Sequence, residues 1–277
     1  MVGRPAFIFS KDQAPPMKSP LALLALLALL APVVLLPLAA HAQSTPPPVA
    51  AAVAAETPST PPALEPFKAT YEAFYKGKQA GSASMDVVQG QGRQWRMDLA
   101  VRGERGFAGI LGMNLEQSTV FENDGGHYRP LSQSTVRKGL FLGKKVTGVY
   151  DWTAHVARWS GDLKKDRTQP VPLQDGDLSA LLINLAIMRD AQPGRTMHYR
   201  FVDGGRTREH VYQVAEQTEI VPVGDLSYDA MRVSRTNGGK NETILWVANG
   251  VPTPIRILQR EDGEDRVDLR LVEYTGN

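Results

Sequence analysis

The stretch Asp175–Gly194, "DGDLSALLINLAIMRDAQPG", decides the fold. Leu178, Leu181, Leu182, Leu185 and Met188 recur at helical spacing, and Ile183, Ala186 and Ile187 fill the other side. Asp177 offers an N-cap and Pro193-Gly194 a stop, which predicts a helix over about 177–191. Only Ser179 and Asn184 interrupt the apolar surface before Arg189. A helix that is apolar nearly all round must be buried nearly all round.

What surrounds it alternates with period two. In Phe67–Lys76, "FKATYEAFYK", Phe67, Ala69, Tyr71, Ala73 and Tyr75 fall on one side, opposite Lys68, Thr70, Glu72 and Lys76. Arg93–Val101, "RQWRMDLAV", sends Trp95, Met97, Leu99 and Val101 inward. Runs at 115–121, 146–152, 197–202, 208–214, 228–233, 242–247, 255–258 and 266–272 behave alike. Turn chemistry separates many of them: Asn123-Asp124-Gly125-Gly126, Asp203-Gly204-Gly205, Asn237-Gly238-Gly239, Asn249-Gly250 and Asp262-Gly263. If Gly204-Gly205 is a two-residue loop, Arg200 faces Glu209, and His198 and His210 take opposite faces. An antiparallel sheet of at least eight strands tends to curl. The expected fold is therefore mainly β: a single strongly curved antiparallel sheet, an open or incomplete β-barrel, wrapped around one buried helix.

The chain is 277 residues long, and its front end is not domain material. Lys18, the apolar run Leu21–Ala31, two prolines and Ala40-His41-Ala42 read as a signal peptide over residues 1–42, with Met17 as the fitting start. Pro32 and Pro37 break what would otherwise be nearly a membrane span. Residues 43–66, with seven prolines among Ala, Ser and Thr, form a solvated linker, and 67–277 a single β domain. The expected location is the periplasm. With no cysteine, neither a lipoprotein anchor nor a disulfide is available. Losing residues 1–42 removes Arg4, Lys11, Lys18 and Asp12, so 31 basic and 29 acidic side chains become 28 and 28. A neutral mature chain argues against nucleic acid as a partner and against anionic lipid surfaces.

No catalytic or metal motif survives inspection. His127, His155, His198 and His210 have no metal-ligand spacing. "DGDLS" starts like a calcium loop but has Ala180 at its sixth position and no closing Glu. Ser82, in "GSASM", lacks the second glycine of a nucleophile elbow. The Gly-rich stretch Arg102–Ser118, "RGERGFAGILGMNLEQS", follows no phosphate-binding pattern. Its glycines mark either the bends of a curled strand or a mobile flap carrying Phe107, Ile110, Leu111 and Met113.

Four segments in order, "YEAFYKGKQAG" (71–81), "GHYRPLSQS" (126–134), "DGDLSALL" (175–182) and "WVANGVPTPIRI" (246–257), resemble the exported proteobacterial proteins of domain-of-unknown-function family 3108. The tail is also similar in outline to periplasmic lipoprotein carriers and envelope-integrity proteins. That likeness implies a half-open β-barrel with a helical cover and an apolar hollow, and brings no catalytic residues.

The expected function is a non-catalytic envelope protein binding an acyl chain, a lipoprotein or an apolar peptide. Trp95, Phe107, Ile110, Leu111 and Met113 would line the ligand, with no cofactor and no membrane span after cleavage. The alternative is a structural or protein-interaction module whose helix plugs the barrel. An enzyme built on scattered carboxylates is a third class.

Overall fold

Period-two patterning becomes fourteen antiparallel strands in one sheet. The computed structural model describes residues 63–104, 114–138 and 143–276. The expected signal peptide, residues 43–62 of the linker, and Phe107, Ile110, Leu111 and Met113 lie outside them.

The strands are β1 (Phe67–Tyr75), β2 (Lys78–Gln89), β3 (Gln94–Gly103), β4 (Leu115–Asp124), β5 (His127–Arg137), β6 (Lys144–Asp151) and β7 (Val156–Gly161). They continue with β8 (Val171–Pro172), β9 (Thr196–Asp203), β10 (Arg206–Val223), β11 (Leu226–Arg235), β12 (Asn241–Ala248), β13 (Arg256–Glu261) and β14 (Glu264–Gly276). The spatial order runs β8 to β1, then β14 back to β9, so each chain neighbour but one pair is also a sheet neighbour. The sheet is barrel-shaped and nearly closed.

Closure happens between β8 and β9, and it is made mostly by side chains. Leu178, past β8, donates its N–H to the Arg200 carbonyl and accepts from the Val202 N–H. The Tyr150 hydroxyl on β6 reaches the Val202 carbonyl at 2.6 Å, and Gln133 on β5 donates to Asp203. Tyr150, Trp152, Trp159, Val171 and Leu173 bury Val202 in a second small core at this seam.

Inside the barrel lies α1 (Leu182–Asp190), the one α-helix among the described residues. Leu182, Ile183, Leu185, Ala186 and Ile187 are all buried. Its inner partners are the alternate residues of the strands, such as Phe67, Tyr71, Met85, Met97, Phe121, Leu245 and Leu271. The wrapped arrangement expected from the sequence is the one observed.

The helix starts later than expected. Residues 177–181 are not helical, because the Leu178 backbone is engaged by β9. Asp177 is not the cap: its carboxylate is held by the Arg200 guanidinium and by the Gln174 N–H. Ser179 takes the capping role, its hydroxyl accepting from the Leu182 N–H at 3.3 Å. The far end is as expected, with Ala191 extended and its N–H bonded to the Ile187 carbonyl.

The β9–β10 turn matches the expected register, with Arg200 opposite Glu209 and His210 opposite Tyr199. Gly204 and Gly205 have φ of 56° and 73°, the left-handed pair a two-residue hairpin requires. A Cβ on Gly205 would also collide with the Arg167 carbonyl of the 3₁₀ turn at Lys165–Arg167. Despite the register, Arg200 pairs with Asp177 rather than Glu209.

Candidate functional site

Antiparallel alternation gives the barrel two distinct ends. The β1–β2, β9–β10, β11–β12 and β13–β14 connections gather at one, called the mouth. The β2–β3, β4–β5, β10–β11 and β12–β13 connections gather at the other, the base. The helix enters from the mouth side, where Leu178 meets Phe201, and leaves toward the start of β9 at the base.

A buried polar clamp lies toward the base. Tyr71 forms it, donating to the Pro254 carbonyl at 2.9 Å and sitting 2.5 Å from the Thr253 hydroxyl. With the tyrosine proton committed to Pro254, the Thr253 hydroxyl donates to the tyrosine oxygen. Burial pushes the Tyr71 phenol well above its ordinary pKa, the Thr253 hydrogen bond opposing only in part.

The mouth is not filled. A cavity of about 750 Å³ lies there, within the size range of small-molecule sites. Its apolar lining is Tyr75, Ala180, Phe201 and Val267; its polar lining includes His210, Asn241, Thr243 and Gln259. Ala180 belongs to the segment leading into α1, so the start of the helix borders the cavity. Arg208, Arg235, Arg260 and Arg266 complete it, against Glu242 and Glu261. The strand period explains the set: Arg208, His210 and Tyr212 share the β10 face that pairs with Phe201, Tyr199 and Met197.

His210 is half-buried in this wall. Its pKa falls to about 4, first through burial and then through the charges of Arg235 and Arg208. Its Nδ1 lies 3.2 Å from the Tyr212 hydroxyl, and its ring packs edge-on against Phe201. Burial likewise raises Tyr212, to about 12.

Three smaller spaces border the helix, one of them of about 470 Å³ past Ala191, Pro193, Tyr228 and Met231. A cleft of about 540 Å³ at the seam is lined by His127, Arg129, Trp152, Asp177, Arg189 and His198 among others. A groove of about 380 Å³ at the base runs past Leu64, Pro66, Leu185, Met188 and Tyr274. Among the described residues no three His, Asp or Glu side chains converge as metal ligands, and no helix is long and apolar enough to cross a membrane.

Of the residues expected to line a ligand, Trp95 is the one described, and it is not at the mouth. It is buried near the base end of β3, opposite Phe121 of β4, as core. The mouth residues escaped sequence reading because arginines near turns look like ordinary solvated tips. His210 alone carried a hint, its period-two phase with Arg208 and Tyr212.

The family model described as "Protein of unknown function (DUF3108)" matches residues 70–270. The chain belongs to the DUF3108 family. No curated protein matches it. Among solved structures it is similar to a β-barrel-like protein of the family DUF1849 from Brucella abortus, at 10% identity and a TM-score of 0.48, covering 77% of this chain and 98% of that one. A DUF1089 family protein from Pseudomonas aeruginosa is similar at 12% identity and a TM-score of 0.35, covering 62% and 87%.

Proposed function

We propose that this DUF3108 protein is a non-catalytic binding protein of the bacterial envelope, exported by its N-terminal segment, that holds the apolar part of a ligand at the barrel mouth. The observation that supports this reading is the cavity of about 750 Å³ at the mouth. The helix fills the middle of the barrel with side chains that are almost fully buried, and a cavity floored by Tyr75, Ala180, Phe201 and Val267 remains at the mouth. Apolar surface left unburied in a folded domain costs free energy in proportion to its area, so such a space marks a binding site more readily than a packing fault.

The burial of the helix inside the sheet favours the alternative, an interaction module plugged by its helix, which gives no role to the mouth. The two readings separate in one experiment. The purified full chain is titrated with the uncharged fluorescent probe N-phenyl-1-naphthylamine, beside a Thr243→Trp variant that fills the cavity. Saturable enhancement in the parent, lost in the variant at unchanged circular dichroism, supports the ligand cavity. No enhancement in the parent overturns it and leaves the interaction module.

A further inference from the structure

The cavity is apolar on its floor and carries arginines on its walls, and these are not equally occupied. Arg260 is paired with Asp265 at 2.6 Å, Arg266 with Glu261 at 3.2 Å, and Arg208 more loosely with Asp203 at 3.5 Å. Arg235 has no carboxylate within ion-pair distance among the described residues. Its Nε donates to the Asn237 side-chain oxygen at 3.2 Å, and that oxygen also accepts the Val211 N–H, which holds it in place. The outer nitrogens of Arg235 have no hydrogen-bond partner among the described residues. Four arginines line the space and three of them carry a carboxylate partner, which leaves Arg235 as the lining arginine without one among the described residues.

A guanidinium fixed at one nitrogen and open at the others is a fork suited to a carboxylate or a phosphate. Low-dielectric walls concentrate its field, and the depressed pKa of His210 is in keeping with that. The geometry points to a ligand class: an amphiphile with an anionic head, held by Arg235 with Arg208 nearby, and an apolar body against Phe201, Tyr75 and Val267. This rests on the reading of the mouth as a ligand cavity and narrows it.

The test compares cis-parinaric acid with its methyl ester, which share the fluorescent chain and differ in the charge. The purified full chain binds the acid roughly tenfold more tightly than the ester, the scale of one charge-assisted hydrogen bond. Arg235→Gln removes that preference and leaves ester binding unchanged, while Arg235→Lys keeps part of it. Unchanged ester binding also shows that the variant is folded. Displacement of the bound acid by dodecanoate alone, by dodecyl phosphate alone, or by both, assigns the head as carboxylate, phosphate or either; each result supports the proposal. Equal binding of acid and ester by the parent overturns the anionic head and leaves the cavity standing. Failure of both probes to bind overturns the cavity as well.

Discussion

Asp177, its side chain 1% exposed, lies against the guanidinium of Arg200 on β9, and the pair ties the segment before the helix to the edge of the sheet. The two partners are not equivalent, because Arg200 is 23% exposed. Arg200→Ala strands a buried carboxylate and is expected to cost about 3 kcal/mol. Asp177→Asn leaves a cation that still reaches water and is expected to cost about 1 kcal/mol. Urea denaturation of both variants checks the order; the reverse order would mean that Arg200, not Asp177, is the desolvated partner.

The base clamp makes a second expectation. Tyr71→Phe removes the donor to Pro254 and the acceptor for Thr253, at a cost of about 1–3 kcal/mol. Thr253→Val disturbs the same contact. The double variant is expected to be clearly less destabilised than the sum of the two, since the residues share one interaction. Strict additivity would show that the hydrogen bond contributes nothing.

Helix wrapping is tested from two sides. Leu182 and Ile187 are both fully buried and lie about 140° apart around α1, taking about 100° per residue. Leu182→Ala and Ile187→Ala are each expected to cost about 2–5 kcal/mol. A helix laid on a flat sheet would spare one of them, so a near-silent variant in thermal unfolding would contradict an enclosed helix.

His210 makes stability depend on pH. Its folded pKa of about 4 lies below the ordinary histidine value of 6.5, so the unfolded chain takes up its proton first. The neutral histidine's contribution is fully present above about pH 6.5 and is lost as pH falls toward about 4. The partly exposed ring limits the loss to on the order of 1–2 kcal/mol. His210→Asn should flatten that part of the stability profile. Imidazole proton shifts in NMR give the pKa directly, and Arg235→Gln is expected to raise it. An unshifted midpoint in the parent would mean that the His210 ring is neither desolvated nor influenced by Arg235 and Arg208.

Much of this architecture was legible in the residues. Alternation in Phe67–Tyr75 and Gln94–Gly103, Gly-rich turns, and a helix with apolar residues on every side leave few options besides a curled sheet around a rod. The strands that went unrecognised, β2, β5, β7 and β8, are small, polar or short: Lys78–Gln89 is rich in Ala and Ser, and β8 has two residues. Their places in the sheet come from pairing with neighbours, on both sides for β2, β5 and β7 and with β7 alone for β8, and period counting cannot see pairing.

The amino-acid sequence by itself determined the family, the mainly β class and the buried helix, because periodicity and turn chemistry are local properties that any segment displays alone. Tertiary structure alone decided three things: that the helix begins after Leu178, that Trp95 is core, and that Arg208, Arg235, Arg260 and Arg266 stand around one space. Each depends on which distant backbone or side chain meets another when the sheet closes. Net charge, being a sum, conceals which arginine is left without a carboxylate partner, and at the mouth that is Arg235.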